Sequence, residues 1–159
     1  MTPNTPIKPE ALDEQIDLAD ATILVVDDHE QNLELIQAYL EDVGCGVTSA
    51  SDGVEALESV DRQAPDLIVL DVMMPRMSGF QVCQKIKANP ATRDIPVVMV
   101  TALSEVGDVE RAVEAGADEF LTKPVHKIEL VTRVKALLRY SLLKKQYDAA
   151  LEQVKKLGG

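Results

Sequence analysis

The sequence predicts an α/β fold in which helices cover both faces of a doubly wound, five-stranded parallel sheet. Short apolar runs rich in β-branched residues alternate with longer segments whose apolar residues recur every three to four positions. The chain is 46% hydrophobic but only 3% aromatic, so its core must consist mainly of aliphatic side chains, which suits buried parallel strands. Alternation of this kind indicates right-handed βαβ units.

Five segments have the length and composition of strands. Each is too short and too rich in β-branched residues for a helix, and turn-forming residues bound it. In chain order, the predicted strands are Thr22–Val26, Val47–Ala50, Asp66–Leu70, Ile95–Val100 and Glu119–Leu121.

Four helical patterns separate these strands, and each ends near a glycine or a proline. In chain order, the predicted helices are Gln31–Asp42, Gly53–Arg62, Gly79–Ala88 and Val106–Ala115. Their apolar stripes are expected to face the sheet. The stripe of the second comprises Val54, Leu57 and Val60, and that of the fourth comprises Val109, Ala112 and Val113.

A fifth helix is predicted from Lys127, and no helix breaker follows before Gly158. At 1.5 Å per residue it would be about 46 Å long, which is more than a domain of this size needs. Beyond Arg139, apolar residues follow heptad spacing and predict a seam for a partner helix. The seam residues are Tyr140, Leu143, Tyr147, Ala150, Val154 and Leu157. A helix end that frays is the alternative, because the seam is short.

The chain divides into three predicted segments: a flexible acidic arm over residues 1–20, a domain over 21–139, and a helical coiled-coil-like extension or linker over 140–159. The arm carries three prolines and is expected to hold one short helical turn near Ala11 to Asp17.

The net charge of −11 is distributed unevenly. Residues 127–159 hold eight Lys/Arg against three Asp/Glu, a net charge of +5, and the rest of the chain carries −16. An acidic body argues against direct binding of nucleic acid. The basic tail is equally well explained as a solvated helix face.

Some residues and segments suggest no special chemistry. No apolar run approaches the roughly 20 residues of a membrane span and no leader pattern opens the chain, so we expect no membrane contact and a cytoplasmic location. Cys45 and Cys83 fit no metal or redox spacing and are expected to be buried free thiols. His29 and His126 have no partner at ligand spacing and are expected to be ordinary surface residues.

Charged and hydroxyl side chains follow the predicted strands. Asp27 and Asp28 come after the first, Asp71 after the third, Thr101 after the fourth and Lys123 after the fifth. Because parallel strands bring their carboxyl ends to one edge, these residues should converge where such folds bind ligands. Three acids brought together repel one another and need a cation, a proton or a phosphate-handling role. Oxygen ligands with room for water suit Mg²⁺ or Mn²⁺.

Several other kinds of site are excluded by motif. The sequence has no GxxxxGK[ST], GxGxxG or GxSxG segment and no Cys/His pair suited to acyl transfer. The cluster instead indicates metal-assisted phosphoryl chemistry with a carboxylate nucleophile. Capping of the following helix is the alternative for Asp27 and Asp28. A cis Lys123–Pro124 bond would be one way to aim the lysine.

Four segments occur in an order and spacing that characterise a family. They are VVDDHEQN (Val25–Asn32), LDVMMPRMSGF (Leu70–Phe80), VMVTA (Val98–Ala102) and AGADEFLTKP (Ala115–Pro124). Because of them, the chain from about Thr22 to Arg139 resembles the receiver domain of two-component response regulators, which has the fold of the bacterial chemotaxis regulator. This resemblance implies a flavodoxin-like sheet with strand order 2-1-3-4-5.

The resemblance also implies roles for the strand-end residues. Asp71 matches the phospho-acceptor, Asp28 the acid that binds Mg²⁺ directly, and Asp27 its neighbour, which acts through water. Met73 matches the residue whose backbone carbonyl ligates the metal. Lys123 matches the lysine that contacts the phosphoryl group.

Two further residues match the family's conformational switch. Thr101 matches the switch hydroxyl and Phe120 the switch aromatic, although an aromatic on a short strand is also explained as core. Pro75 and Gly79 match the loop that shapes the acceptor site. The side chains of Met73, Met74 and Met77 are expected only to form part of the loop and to pack against neighbouring residues.

The resemblance implies a signalling module rather than an enzyme, with weak self-phosphorylation and self-dephosphorylation at Asp71 only. The implied partners are a histidine kinase or phosphotransfer protein, an output domain beyond the C-terminus, and a second copy through the last helix. A phosphatase of the haloacid-dehalogenase type is the alternative, but it needs a second acid where this chain has Met73. A third reading is an interaction protein whose phosphorylation is vestigial.

Overall fold

The structure is a computed structural model that describes residues 17–102 and 106–158, and the predicted α/β architecture is confirmed. The strands are β1 (Thr22–Val26), β2 (Gly46–Ala50), β3 (Leu67–Asp71), β4 (Val97–Thr101) and β5 (Glu119–Thr122). The helices are α1 (Glu30–Leu40), α2 (Gly53–Arg62), α3 (Gly79–Ala88), α4 (Val106–Ala115) and α5 (Lys127–Gly158). The sheet is parallel throughout, in the order β2-β1-β3-β4-β5.

Most element boundaries match the sequence prediction, and the shifts have local causes. Strand β4 begins at Val97 rather than Ile95, because Pro96 has no N–H to donate to the ladder. Helix α1 passes into a short 3₁₀ turn at Glu41–Val43 and stops at Gly44, whose φ of 78° lies in the left-handed region. Asp71 is the last residue of β3 itself rather than the residue after it.

Two apolar layers fill the space on either side of the sheet. Helices α1 and α5 cover one face through Leu33, Ile36, Leu40, Leu130, Val134 and Leu138. Helices α2, α3 and α4 cover the other through Ala56, Val60, Phe80, Val82, Cys83, Ile86, Ala112 and Ala115. Because β3 is buried along its whole length between them, the strand that ends in Asp71 is held rigidly.

The prediction that Val54, Val109 and Val113 face the sheet is wrong. Their exposed fractions are 54%, 41% and 70%. The burial predicted for Val60 in α2 and Ala112 in α4 is confirmed, and Ala56, which the pattern did not single out, is buried as well. Small side chains such as Ala56 and Ala112 let a helix backbone approach the sheet closely.

The helix α5 has two parts with different surroundings. Leu130, Val134, Leu138 and Ser141 are buried on one face, which packs against the sheet. The helix then continues to Gly158 with its side chains mostly exposed. Two ion pairs fasten the start of this second part to loops at the amino edge of the sheet. Lys145 Nζ lies 3.0 Å from Asp66 Oδ1, and Lys144 Nζ lies 3.6 Å from Asp94 Oδ1.

The predicted helical turn near Ala11 to Asp17 and most of the predicted arm lie outside the described residues. Residues 17–20 form a turn in which the Ala21 N–H donates to the Leu18 carbonyl at 3.1 Å. No helix within the described ranges is long and apolar enough to span a membrane.

Both cysteines are free thiols, but only one is fully buried. Cys83 is buried and its Sγ donates to the Ala115 carbonyl at 3.3 Å. Burial raises the pKa of the Cys83 thiol to about 11. The expectation of burial is wrong for Cys45, which is half-buried because it precedes the edge strand β2.

Gly79 provides a test of how tightly the loop after β3 packs. A Cβ at this position would lie against the backbone oxygen of Asp71 and 2.8 Å from Val72 Cα. We expect Gly79→Ala to lower the free energy of unfolding by about 1–3 kcal/mol, because backbone atoms cannot move aside as a side chain can. Urea unfolding followed by circular dichroism measures this.

Gly107→Ala is the matched control, since nothing lies within 4 Å of the Cβ it would add in α4. It should be neutral or stabilising by up to about 1 kcal/mol. Equal effects of the two substitutions would contradict the packing described here.

Candidate functional site

The predicted site residues converge at the carboxyl edge of the sheet. The register aligns Val26 with Leu70, so the segment after β1 begins beside the end of β3. Asp71 is aligned with Val100, which places Thr101 one residue further along β4. Thr101 is in turn aligned with Thr122, the residue before Lys123. Parallel pairing therefore brings together side chains that are up to 96 residues apart in the sequence.

The ammonium of Lys123 lies between two carboxylates. Its Nζ is 3.1 Å from Asp27 Oδ2 and 3.7 Å from Asp71 Oδ1. The two acids are almost completely buried, with side chains 1% and 5% exposed. The Lys123–Pro124 bond is cis, as the sequence analysis anticipated. One cation cannot fully offset two buried anions, so the site retains an unbalanced negative charge.

The carboxyl of Asp71 has a raised pKa. This pKa is raised to about 6, first by burial, then by the nearby charge of Asp27, with a smaller contribution from Asp28. Lys123 and the Met73 N–H, which donates to Asp71 Oδ1 at 3.4 Å, act in the opposite direction. A carboxylate whose ionised form is costly gains most from a bound cation.

The acid pair occupies a tight turn between β1 and α1. The His29 N–H donates to Asp27 Oδ1 at 2.9 Å, and the Asn32 side-chain amide approaches the same oxygen at 3.5 Å. The N-cap position of α1 belongs to His29, so capping is not the main role of either aspartate. These contacts fix Asp27 at the end of β1, next to Asp28.

One oxygen of the acid pair lacks a hydrogen-bond partner among the described residues. Asp28 Oδ1 is buried, and no donor among the described residues hydrogen bonds to it. Leaving a buried acceptor unpaired is costly. Ligand atoms of Asp27, Asp28 and His29 lie within 4.8 Å of one another, which is the spacing of a metal site. The residues present therefore fit a divalent cation.

His29 corrects the expectation of an ordinary surface residue. Its side chain is 69% exposed, but Nδ1 lies 3.1 Å from Asp28 Oδ1 and 3.5 Å from Asp27 Oδ1. The sequence signal was its position directly after the acid pair. His126 is exposed in the loop before α5.

The two residues matched to a switch differ in burial. Thr101 is completely buried at the end of β4, and its carbonyl accepts from the Lys123 N–H at 2.7 Å. Phe120 is half-buried on β5, aligned with Met99, and packs on the layer formed by α2, α3 and α4. Met73 contributes its backbone to the site, since its side chain is 57% exposed.

Comparisons with known proteins agree with this arrangement. Residues 23–135 match the family model described as the response regulator receiver domain. The chain is 50% identical over 123 residues to the response regulator PleD of Caulobacter vibrioides, which covers 77% of this chain and 27% of PleD. It is 45% identical over 119 residues to the alkaline phosphatase synthesis transcriptional regulatory protein PhoP of Bacillus subtilis, covering 75% of this chain and 49% of PhoP. The chain thus spans between a quarter and a half of these relatives.

Solved structures show the same likeness. The signal receiver domain of a histidine kinase from Syntrophus aciditrophicus superposes with a TM-score of 0.70 at 40% identity, over 74% of this chain and 89% of that one. The receiver domain of the sensor histidine kinase PA1611 from Pseudomonas aeruginosa has a TM-score of 0.69 at 32% identity, over 76% and 98%. A magnesium ion is coordinated in the active site cleft of that protein.

None of these similarities supports the phosphatase alternative, and an exposed methionine stands where that class needs its second acid. The sheet order, the strand-end cluster and the family match lead to one assignment. This chain belongs to the response regulator receiver domain family of two-component signal transduction.

Proposed function

We propose that Asp71 accepts a phosphoryl group from the phosphohistidine of a histidine kinase or phosphotransfer protein. The observation that carries this proposal is the position of Asp71, which ends the buried strand β3 within 3.7 Å of the Lys123 ammonium. The neighbouring acid pair would hold the cation that such a transfer requires. A carboxylate with these neighbours is a suitable nucleophile for phosphorus.

In the proposed transfer, an Asp71 carboxylate oxygen forms a bond to phosphorus as the bond to the donor imidazole nitrogen breaks. The electron pair of the broken bond stays on that nitrogen, which can take up a proton. Lys123 is close enough to neutralise charge on the phosphoryl oxygens. The Met73 N–H already points at Asp71 and helps to orient it.

We propose Asp27, Asp28, Asp71 and the Met73 backbone carbonyl as the residues that hold Mg²⁺, with Mn²⁺ as a substitute. When bound, the ion supplies positive charge that offsets the phosphoryl oxygens. The unpaired Asp28 Oδ1 and the raised pKa of Asp71 support a cation here, as does the magnesium ion held by the PA1611 receiver domain. Among the described residues, Asp27 and Asp28 belong to the one grouping of at least three His, Cys, Asp or Glu side chains at ligand spacing, which His29 completes.

We propose that phosphorylation shifts the population of two packings. An acyl phosphate adds negative charge and acceptor oxygens beside β4, where the Thr101 hydroxyl can turn toward it. The space so released would let the half-buried Phe120 turn inward and alter the face formed by α4, β5 and α5. The half-burial of Phe120 supports this role, since a fully packed ring would have less freedom to turn.

The output is proposed to lie on another part of a longer protein or on a partner. The relatives exceed this chain in length, and several are transcriptional regulators by name. In this proposal residues 21–139 form the receiver, residues 140–159 form an extension, and the receiver acts in the cytoplasm without binding nucleic acid itself. Any chemistry beyond phosphorylation and dephosphorylation of Asp71 is left to the partner.

We propose that the extension pairs with a second copy of the chain. The seam residues Tyr140, Leu143, Tyr147, Val154 and Leu157 are all exposed, by 44% to 86%. The ion pairs of Lys144 and Lys145 hold the helix so that this seam faces away from its own domain.

Phosphorylation at Asp71 is tested by weighing the intact protein after incubation with acetyl phosphate and Mg²⁺. The wild type should gain the mass of one phosphoryl group, and Asp71→Asn should gain none, because an amide is a poor nucleophile. Asp61→Asn, an exposed aspartate on α2, is the matched control and should behave like the wild type. An undiminished gain in Asp71→Asn would exclude the proposed acceptor.

The raised pKa of Asp71 predicts that Asp71→Asn stabilises the metal-free protein at neutral pH. Because the folded-state pKa of about 6 lies above the ordinary pKa of an aspartate, this group destabilises the fold as pH rises from that ordinary value toward 6. The substitution should add about 1–3 kcal/mol to the free energy of unfolding at pH 7.5, and little at pH 4. Urea unfolding in a chelator measures both.

Asp61→Asn should show no such pH dependence. Added Mg²⁺ should stabilise the wild type and not Asp71→Asn. A stabilisation that is the same at both pH values would contradict the electrostatic account.

Pairing through the extension is tested by light scattering of the double variant Tyr147→Glu/Val154→Glu. We expect the wild type to have the mass of a dimer and the variant that of a monomer, because charges cannot be buried at the seam. The control exchanges charges on another face of the helix, Glu152→Lys/Lys156→Glu, and should keep the wild-type mass. Equal masses for all three proteins would exclude a dimer that depends on the seam.

A further inference from the structure

The imidazole of His29 lies against both carboxylates of the acid pair, although the residue is largely exposed. Its Nδ1 is 3.1 Å from Asp28 Oδ1 and 3.5 Å from Asp27 Oδ1. With the two acids it forms the grouping of three metal-ligating side chains at ligand spacing within the described residues. This grouping does not include Asp71.

Helix capping does not explain this placement. His29 occupies the N-cap of α1 with extended backbone angles, yet its side chain makes no capping hydrogen bond. Ser, Thr, Asp or Asn would be favoured there on stability grounds. The His29 N–H is meanwhile fixed by Asp27 Oδ1 at 2.9 Å, which anchors the backbone beside the acids.

Hydrogen bonding does not explain it either. At 3.1 Å the His29 ring nitrogen is near enough to Asp28 Oδ1 to donate, but that oxygen remains without a hydrogen-bond partner. The nitrogen therefore points beside the oxygen rather than at it. Bonds of about 2.0–2.2 Å from one ion place neighbouring ligands about 3 Å apart, with both aimed at the ion and not at each other.

We infer that His29 is a nitrogen ligand of the divalent-ion site, which therefore takes imidazole-binding transition-metal ions such as Ni²⁺ far more tightly than Mg²⁺. The inference deepens the proposed cation site and rests on it for the two carboxylates. Imidazole suits the later first-row ions, whereas Mg²⁺ prefers oxygen, so His29 contributes to the affinity of the first class and little to that of the second.

Calorimetric titration of the untagged protein with NiCl₂ and with MgCl₂ at pH 7.5 tests this selectivity. His29→Ala should weaken Ni²⁺ binding at least about tenfold, since even the loss of a group supporting a ligand costs that much. Mg²⁺ binding should change by less than about threefold. His126→Ala, the other histidine of the chain, is the matched control and should keep both affinities. An unchanged Ni²⁺ affinity in His29→Ala would overturn the inference.

Two further measurements separate ligation from indirect effects. Cu²⁺ bound to the wild type and to His126→Ala should show the ¹⁴N coupling of a coordinated imidazole in pulsed electron paramagnetic resonance, and His29→Ala should lack it. Asp28→Asn should weaken Ni²⁺ and Mg²⁺ binding together. Normal Ni²⁺ binding in Asp28→Asn would place the nickel elsewhere and count against the inference.

Failure of this inference is distinguishable from failure of the proposed function. His29→Ala should still be phosphorylated at Asp71 with acetyl phosphate and Mg²⁺. If the wild type were not phosphorylated, the proposed function would fall, and the Ni²⁺ and ¹⁴N results would still decide the role of His29.

Discussion

The ion pairs of Lys123 with Asp27 and Asp71 are the interactions on which the site depends. They join the ends of β1, β3 and β5 across a buried sheet, and they exist only because parallel pairing brings those ends to one edge. Without the ammonium, two nearly buried carboxylates would face each other with no compensating charge. The carboxyl edge of the sheet therefore carries an excess of negative charge.

This excess of negative charge affects both the stability of the fold and the chemistry proposed for the site. Asp71 is costly to ionise, Asp28 has an oxygen without a donor, and the single lysine cannot balance three acids. In the proposed function, a bound cation would offset this negative charge and would help to hold the charged oxygens of a phosphoryl group. The proposed His29 ligand would add a nitrogen to this site, where a further acid would increase the repulsion.

The opposite edge of the sheet serves a different purpose. Asp66 and Asp94 precede β3 and β4 and form ion pairs with Lys145 and Lys144, while the buried face of α5 sets the direction in which the helix leaves the domain. The buried face of that helix and its apolar seam point different ways. The sheet thus separates a chemical edge from an edge that contacts the extension, with β3 and β4 running through the core between them.

The sequence alone determined the alternation of elements, the five strand-end residues and, through motif order, the family. These are local or one-dimensional signals: short β-branched runs, breakers, and acids directly after strands.

Prediction from the sequence failed where the outcome depended on packing between elements. Which apolar side chains of α2 face inward, Ala56 and Val60 rather than Val54, is decided by how the helix packs on the sheet. The half-burial of Cys45 follows from its place before an edge strand. The position of His29 directly after the acid pair is visible in the sequence, but its contact with both aspartates depends on the conformation of the turn between β1 and α1.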